Sequence, residues 1–481
     1  MQLLRDLKRN YLVVSITFIY IVLDMIFTFR EIYWVNLLPV LLLIIYLLFA
    51  RLDVVYFIIV ALTPLSIQLL EYSPSASFNF SIPTEPLLFA LMLILIYKNV
   101  QTGIINMKIL NHPVTYAVIL NLFWLLLTAI TSVRPDVSFK FLLSRLCFVS
   151  VYYFLAIMIF QKSKNIKVFI WCYTLPMIVV IFYSVSRHLA FGLYDNQASH
   201  FVMNPFFRDH TSYGAVLAML FFAFGSMIFR NRSPLIIQFF LYGVWILLVI
   251  ALILSYTRAA WISVVISAFV LGLVLLKIRF RYLLITGLIA IVYLTGQRFE
   301  IIRKMEKNRQ ASSATISEHI KSISNITTDD SNKERINRWN AAMKMFRERP
   351  VLGWGPGTYS FTYAPFQAYR DKTIISTNFG DKGNAHSEYI GPLAESGILG
   401  SVTYVLIGIM SLLTGFKVLS ALKDKRLKQL TLGFILGYIT YLIHGTLNNF
   451  LDTDKLSALF WGFSAVFVAL DISLKELNSK Y

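Results

Sequence analysis

The sequence predicts an all-α polytopic membrane protein, a bundle of about 12–14 transmembrane helices with one large extracytoplasmic segment packed on the outer helix ends. Three observations predict it. The 481 residues are 57% hydrophobic and only 14% charged, with a mean hydropathy of +0.66; soluble domains carry about 25% charged residues. Apolar runs long enough to cross a bilayer, roughly 17–25 residues, recur along the whole chain. Lysines and arginines concentrate in alternate connections between those runs. A β-barrel would show short alternating segments instead.

The first run, residues 11–29, is too long for the apolar core of a signal peptide, and no small-residue cleavage site follows it. It reads as a retained first helix. Runs at 114–130, 212–229, 235–254, 259–276 and 398–419 follow, with shorter ones at 52–70 and 86–97. The spans are nearly free of charge, Asp24 being the clearest acidic exception. Basic clusters such as Arg5/Lys8/Arg9, Lys162/Lys164/Lys167 and Lys423/Lys425/Arg426/Lys428 fall on one side, while Arg30, Arg134, Lys140, Arg187 and Arg208 are the few on the other. The positive-inside rule then puts both termini in the cytoplasm. The net charge of +19 is therefore topological. It answers to membrane lipids, and nucleic acid is not a partner. Cys147 and Cys172 lie in apolar runs with no disulfide or zinc spacing.

Three regions follow. Residues 1–296 form an N-terminal transmembrane bundle, 297–395 a large extracytoplasmic segment with a short amphipathic helix, and 396–481 the closing transmembrane helices and a cytoplasmic tail, frayed from Asp471. Two outer connections in the first region, 71–85 and 189–210, are longer than average. Residues 298–328, rich in Lys, Arg, Ser and Asn, read as a solvated stretch.

Chemistry concentrates in the large segment. Ser331 and Glu334 fit a capping box. Ile336, Trp339, Met343 and Phe346 recur at helical spacing as one apolar face, and Pro350 ends the helix. Arg335 then lies in the first turn, where the helix dipole favours an anion; Arg338 is one turn on. The plain alternative is an interfacial helix whose arginines face headgroups. Gly353-Trp354-Gly355-Pro356-Gly357 is a tight turn without the Lys-Ser/Thr ending of a P-loop. Arg258 sits at an outer helix junction, where the positive-inside rule does not ask for it. His386 lies in a polar loop over 379–388, before a helix expected near Ile398, with Glu388 as a partner carboxylate. The histidines are too scattered for a metal site, and no paired-carboxylate pattern would hold Mg²⁺.

Arg335-x-x-x-Trp339, Pro350, Gly353-x-Gly355-x-Gly357, His386-Ser387-x-Tyr389 and Glu395-x-Gly397-x-x-Gly400 together resemble the signature of the O-antigen ligase/polymerase superfamily. Arg258 in Thr-Arg-x-x-Trp261 is similar to its upstream arginine motif, with Thr257 where Ser is frequent. The likeness covers about Ser255 to Gly400; the N-terminal half agrees only in hydropathy. The number of spans counted from hydropathy exceeds that of the ligases.

The resemblance implies an inverting, metal-independent glycosyltransferase without a cofactor, in the bacterial cytoplasmic (inner) membrane with its site facing the periplasm. It would move a glycan from undecaprenyl pyrophosphate to an acceptor hydroxyl, on lipid A-core or a similar glycan. A polymerase of O-antigen, capsule or exopolysaccharide in the same superfamily is the alternative, and a lipid-linked-glycan flippase is the rival of another class. In the expected roles, His386 is the base or a positioning group. Arg258 and Arg335 take the pyrophosphate, with Arg338 in reserve. Glu388 or Glu395 orients the imidazole, and Tyr389 and Trp339 wall the pocket. Without a metal, guanidinium groups must offset the charge on the leaving diphosphate, and they bind phosphate oxygens bidentately.

Overall fold

The computed structural model describes residues 2–69, 80–228, 234–277, 330–369, 372, 376 and 383–478; the side chains of 2–10, 12 and 330–333 are outside that description. The solvated stretch at 298–328, most of the 71–85 connection, His319 and the basic residues Arg230, Arg232, Arg279 and Arg281 lie outside the described residues.

The chain divides into two compact units, 1–56 and 57–481. The first holds α1 (Gln2–Phe29), a 3-10 turn (Tyr33–Leu37) and α2 (Leu38–Ala50). Asp24, the acid inside the first span, is offset locally: the Tyr20 hydroxyl lies 3.4 Å from its carboxylate and donates to Val35 O at 3.1 Å.

The second unit begins within α3 (Leu52–Leu62) and continues through a two-residue antiparallel pair, β1 (Ile67–Gln68) with β2 (Ser81–Ile82). It then runs through α4 (Thr84–Thr102), α5 (Met107–Leu110), α6 (Pro113–Ile130), α7 (Pro135–Val149), a π turn (Ser150–Leu155) and α8 (Ala156–Phe160). Next come α9 (Lys164–Phe191), α10 (His210–Gly225), α11 (Leu235–Leu254) and α12 (Arg258–Leu275). The polar α13 (Asp330–Glu348) and short α14 (Tyr359–Thr362) precede α15 (Ile390–Ala421), α16 (Lys425–His444) and α17 (Asp454–Asn478).

Local chemistry sets several of these starts. Pro113 and Pro135 open α6 and α7, where the missing N–H costs nothing. Asp209 caps α10 by accepting from the Thr211 and Ser212 amides, both at 2.8 Å.

Eight helices among the described residues are long and apolar enough to cross a membrane, and three further apolar helices are shorter. The chain is a multi-pass membrane protein. The count falls below the expected 12–14 partly because α4 and α16 mix charged residues with apolar ones. α17 is the central post, with 94% of its span inside the protein. Small residues let the other helices close on one another: a Cβ on Gly437 of α16 would stand 2.6 Å from Met219 O of α10. Leu235, Ile236 and Phe239 on α11 and Val265 and Phe269 on α12 stay exposed, as a lipid-facing surface requires.

Three expectations fail here. Residues from Asp471 do not fray; α17 continues to Asn478, and buried Asp471 binds Lys417 at 2.8 Å and Lys475 at 2.9 Å. Ser331 lies inside α13 rather than capping it. The helix near Ile398 starts earlier, at Ile390, and bends at Gly397, whose φ of 67° is outside helical space. That bend lets the 350–355 turn pair with it: Trp354 N donates to Ala394 O at 3.1 Å, Gly355 N to Glu395 O at 2.7 Å, and Ile398 N to Pro350 O at 2.9 Å.

Candidate active site

α13 is amphipathic at the expected period but in a different phase. Its buried face is Glu334, Asn337, Arg338, Ala341, Ala342 and Met345, while Ile336 is exposed and Trp339 and Met343 are only half-buried. The apolar stripe read from the sequence is therefore not the packed one. A helix buries its polar side only when that side is largely satisfied, and here it is, with Asn337 Oδ1 an exception among the described residues. Arg338 Nε donates to Glu334 Oε1 at 2.7 Å, and its Nη1 donates to Asn384 O at 3.2 Å. Glu334 also accepts from the Ser376 hydroxyl, and Asn337 donates to Gln367 Oε1 at 2.8 Å. Burial alone would push the Glu334 carboxyl up; Ser376 and Arg338 outweigh it and hold it below the ordinary carboxylate value.

Arg338 Nη1 lies 2.9 Å from His386 Nε2. A guanidinium has no acceptor, so it is the donor and the Nε2 lone pair of a neutral imidazole receives it. Desolvation, then the charges of Arg338 and Arg335, bring the His386 pKa down to about 3. His386 is held in left-handed backbone, φ 48°, by its own amide bonding to Asn384 Oδ1 at 3.1 Å. That conformation costs a non-glycine residue about 1–2 kcal/mol, and such strain persists where surrounding contacts fix it.

The other arginines gather at the same end. Arg258 is the first residue of α12, and the cap before it, Thr257, donates through Oγ1 to His210 O at 2.8 Å. His210 packs against His200 with ring centroids 4.1 Å apart and the rings tilted by 59°. The charges of Arg335 and Arg258 both act on His210, and Arg335 also acts on His386 and His444. Histidine and arginine side chains from α10, α12, α13, α16 and the 383–389 loop thus form one electrostatic cluster.

Beside it opens a cavity of about 430 Å³. Asp209, Asn384, Ala385, Ser387 and Glu388 belong to its wall; His386, Arg258, Arg335, Arg338, Trp339 and Tyr389 do not. Tyr389 instead donates to Leu442 O at 2.8 Å and packs on Tyr404, away from this cavity's lining. Trp339 is half-buried, and its indole N–H has no hydrogen-bond partner among the described residues. Glu388 does not orient His386. Its Oε1 accepts from the Tyr441 hydroxyl at 2.6 Å, Phe450 N at 2.7 Å and Leu451 N at 2.9 Å. Glu395 accepts from Tyr359 N at 3.0 Å. The residue expected in reserve, Arg338, is the one that contacts the imidazole.

Sequence reasoning missed much of the cavity. Arg145 lines it from α7, ten residues or about 15 Å along the helix from Pro135. An arginine that deep in a span is itself a signal of a polar cavity, and the spans are less free of charge than expected. Glu85, Asp452 and Asp454 also line it. Asp454 is held by the Ser66 hydroxyl at 2.6 Å and Thr84 at 2.5 Å, and Lys455 reaches Ser66 Oγ at 2.6 Å. No sequence spacing links Ser66, Thr84 and Asp454.

Residues 242–405 match the family model Wzy_C, described as O-antigen ligase. This stretch is an O-antigen ligase family domain. No curated protein matches the chain. The O-antigen ligase domain takes in Arg258, the whole of α13, His386 and the first half of α15. Arg145 and Asp452, which complete the cavity, fall outside its bounds.

Proposed function

We propose that the protein transfers a glycan from a polyprenyl diphosphate to an acceptor hydroxyl at the extracytoplasmic face, as an O-antigen ligase. One observation carries this reading: Arg258 of α12 and Arg335 of α13, remote in sequence, both act on His210, and Arg335 with its helix neighbour Arg338 acts on His386, at one end of the bundle. The diphosphate lies against Arg258 and Arg335, whose fixed positive charge offsets what develops on the leaving group. Arg338, oriented by Glu334, holds His386 neutral and in place, so His386 serves as a positioning group. The cavity beside it receives the acceptor. Its wall is mixed, with Lys140, Arg145 and Arg208 beside Glu85, Asp209, Glu388 and Asp452, a polar lining that suits a hydroxyl-rich sugar. A polymerase of the same family, whose acceptor is the sugar of a lipid-linked repeat unit, is the second reading.

The test is glycan transfer in proteoliposomes with Arg258→Ala, Arg335→Ala and His386→Ala made separately. Each arginine variant is expected to lose about 10²–10³-fold in turnover, the effect of removing one preorganised donor. Near-normal transfer at normal protein levels removes that residue from the mechanism. A deletion strain separates the two readings: long glycan retained on the lipid carrier marks a ligase, single repeat units a polymerase.

A further inference from the structure

We infer that Asp452, in the loop between α16 and α17, is the general base that takes the proton of the acceptor hydroxyl; this rests on the transferase reading above. The reaction needs a proton acceptor, and the imidazole is badly placed to be one. The Nε2 lone pair of His386 is already occupied by Arg338 at 2.9 Å, and His386 does not line the cavity.

Asp452 does line it. Its side chain is exposed, the exposed part facing the cavity, and its carboxylate makes no hydrogen bond or ion pair to another residue among the described residues. The neighbouring Asp454, by contrast, accepts from Ser66 and Thr84 through Oδ2 and has Lys455 Nζ 3.6 Å from its Oδ1.

The loop that carries Asp452 is fixed from the His386 side. Glu388, two residues after His386, accepts from the Phe450 and Leu451 amides, and its own amide donates to Gly445 O at 2.8 Å. The segment that positions His386 therefore also positions Asp452. A loop bound this way to a neighbouring loop presents a carboxylate in a set direction.

The charged groups around Asp452 come from every element of the wall, with Glu85 of α4, Lys140 of α7 and Asp209 at the head of α10 lining the same cavity. Glu388 from the 383–389 loop and Glu395 from α15 repel it; Arg145 from α7 and Arg208 from the 201–209 loop attract it; Asp454 and Lys455 follow it at the head of α17. Desolvation within the cavity, then the Glu388 charge, push its pKa up to about 6, against the pull of Arg145. A carboxylate there is ionised near neutral pH yet basic enough to accept a proton.

In the step, the acceptor O–H bond breaks and its proton passes to an Asp452 carboxylate oxygen. The acceptor oxygen forms the new bond at the anomeric carbon. The bond from that carbon to the diphosphate oxygen breaks, and its electron pair leaves with the diphosphate.

The experiment measures single-turnover transfer from a polyprenyl-diphosphate glycan in proteoliposomes across pH 5 to 8, for wild type, Asp452→Asn, Asp452→Glu and Asp452→Ala with and without added formate. Wild-type transfer should rise with pH through about 6 and then level. Asp452→Asn should lose about 10²–10⁴-fold and the rising limb with it, while donor binding stays unchanged. Asp452→Glu should recover part of the rate, and formate should rescue Asp452→Ala. Transfer by Asp452→Asn within a few-fold of wild type, or an unchanged pH limb, overturns the role of Asp452 and leaves the transferase reading standing. No transfer by wild type overturns the transferase reading itself, and the base assignment with it.

Discussion

Arg338 and Glu334 form an ion pair with side chains only 10% and 3% exposed. Two charges at that depth are retained at a desolvation cost that their mutual attraction roughly offsets. Removing one alone is different, because the other stays buried without its partner. Arg338→Met is therefore expected to destabilise the protein by about 3–5 kcal/mol, read as a fall in the thermal unfolding midpoint in detergent. The double variant Arg338→Met/Glu334→Gln should regain a good part of that loss while transfer stays impaired, since His386 has lost the guanidinium at its Nε2. A double variant no more stable than the single one would show that the pair is not what holds this face of α13. Cavity residues are governed by the same logic at lower stakes: Asp452, with no side-chain partner among the described residues, is expected to tolerate Asn in a way Glu334 does not.

At the scale of elements, the bend in α15 lets the domain's loops reach the bundle. Gly397 has φ 67°, and a Cβ there would run into Val351 O. Gly272 in α12 has nothing within 4 Å of the same position. Gly397→Ala is expected to lose at least about 1–2 kcal/mol from backbone strain alone. Gly272→Ala should be neutral or gain up to about 1 kcal/mol from helix propensity. Equal unfolding midpoints for the two variants would remove the bend from the determinants of stability. This contrast also shows what was legible beforehand. The spans at 235–254 and 259–276 were readable because lipid imposes apolarity on every outward position. The period of α13 was readable too, but its phase was not: the stripe of Ile336, Trp339 and Met343 looked like the packed face. Glu334, Asn337 and Arg338 are buried instead because Ser376, Gln367 and Asn384 satisfy them, and those partners lie 30 to 46 residues away. Arg258, Arg335 and His386 could be singled out as charges without a topological reason. Asp452 could not, because its loop is brought to the site by the contacts of Glu388 with Gly445, Phe450 and Leu451, which no spacing announces.

Over the whole molecule, the helices alternate between two ends of unlike chemistry. α7, α12, α15 and α17 begin, and α6, α11 and α16 finish, at the end that carries the arginine–histidine cluster. The opposite ends hold Lys98, Lys164, Lys167, Lys417, Lys425 and Arg426. A bilayer reads such asymmetry: basic connections tend to stay in the cytoplasm, and on that rule the cluster end is expected to face out. Catalysis needs this orientation if the donor's diphosphate is to be met at the outer headgroups. Tyr369 and Lys423 are exposed reporters of the two ends. In a background with Cys147 and Cys172 replaced by Ala, Tyr369→Cys should react in intact cells with a membrane-impermeant thiol reagent. Lys423→Cys should react only after the membrane is opened. The reverse pattern would place the cluster in the cytoplasm, where a sugar acceptor outside the membrane could not reach it. Arg258, Arg335 and Arg338 would then need another anion, such as an inner-leaflet headgroup, to explain their convergence.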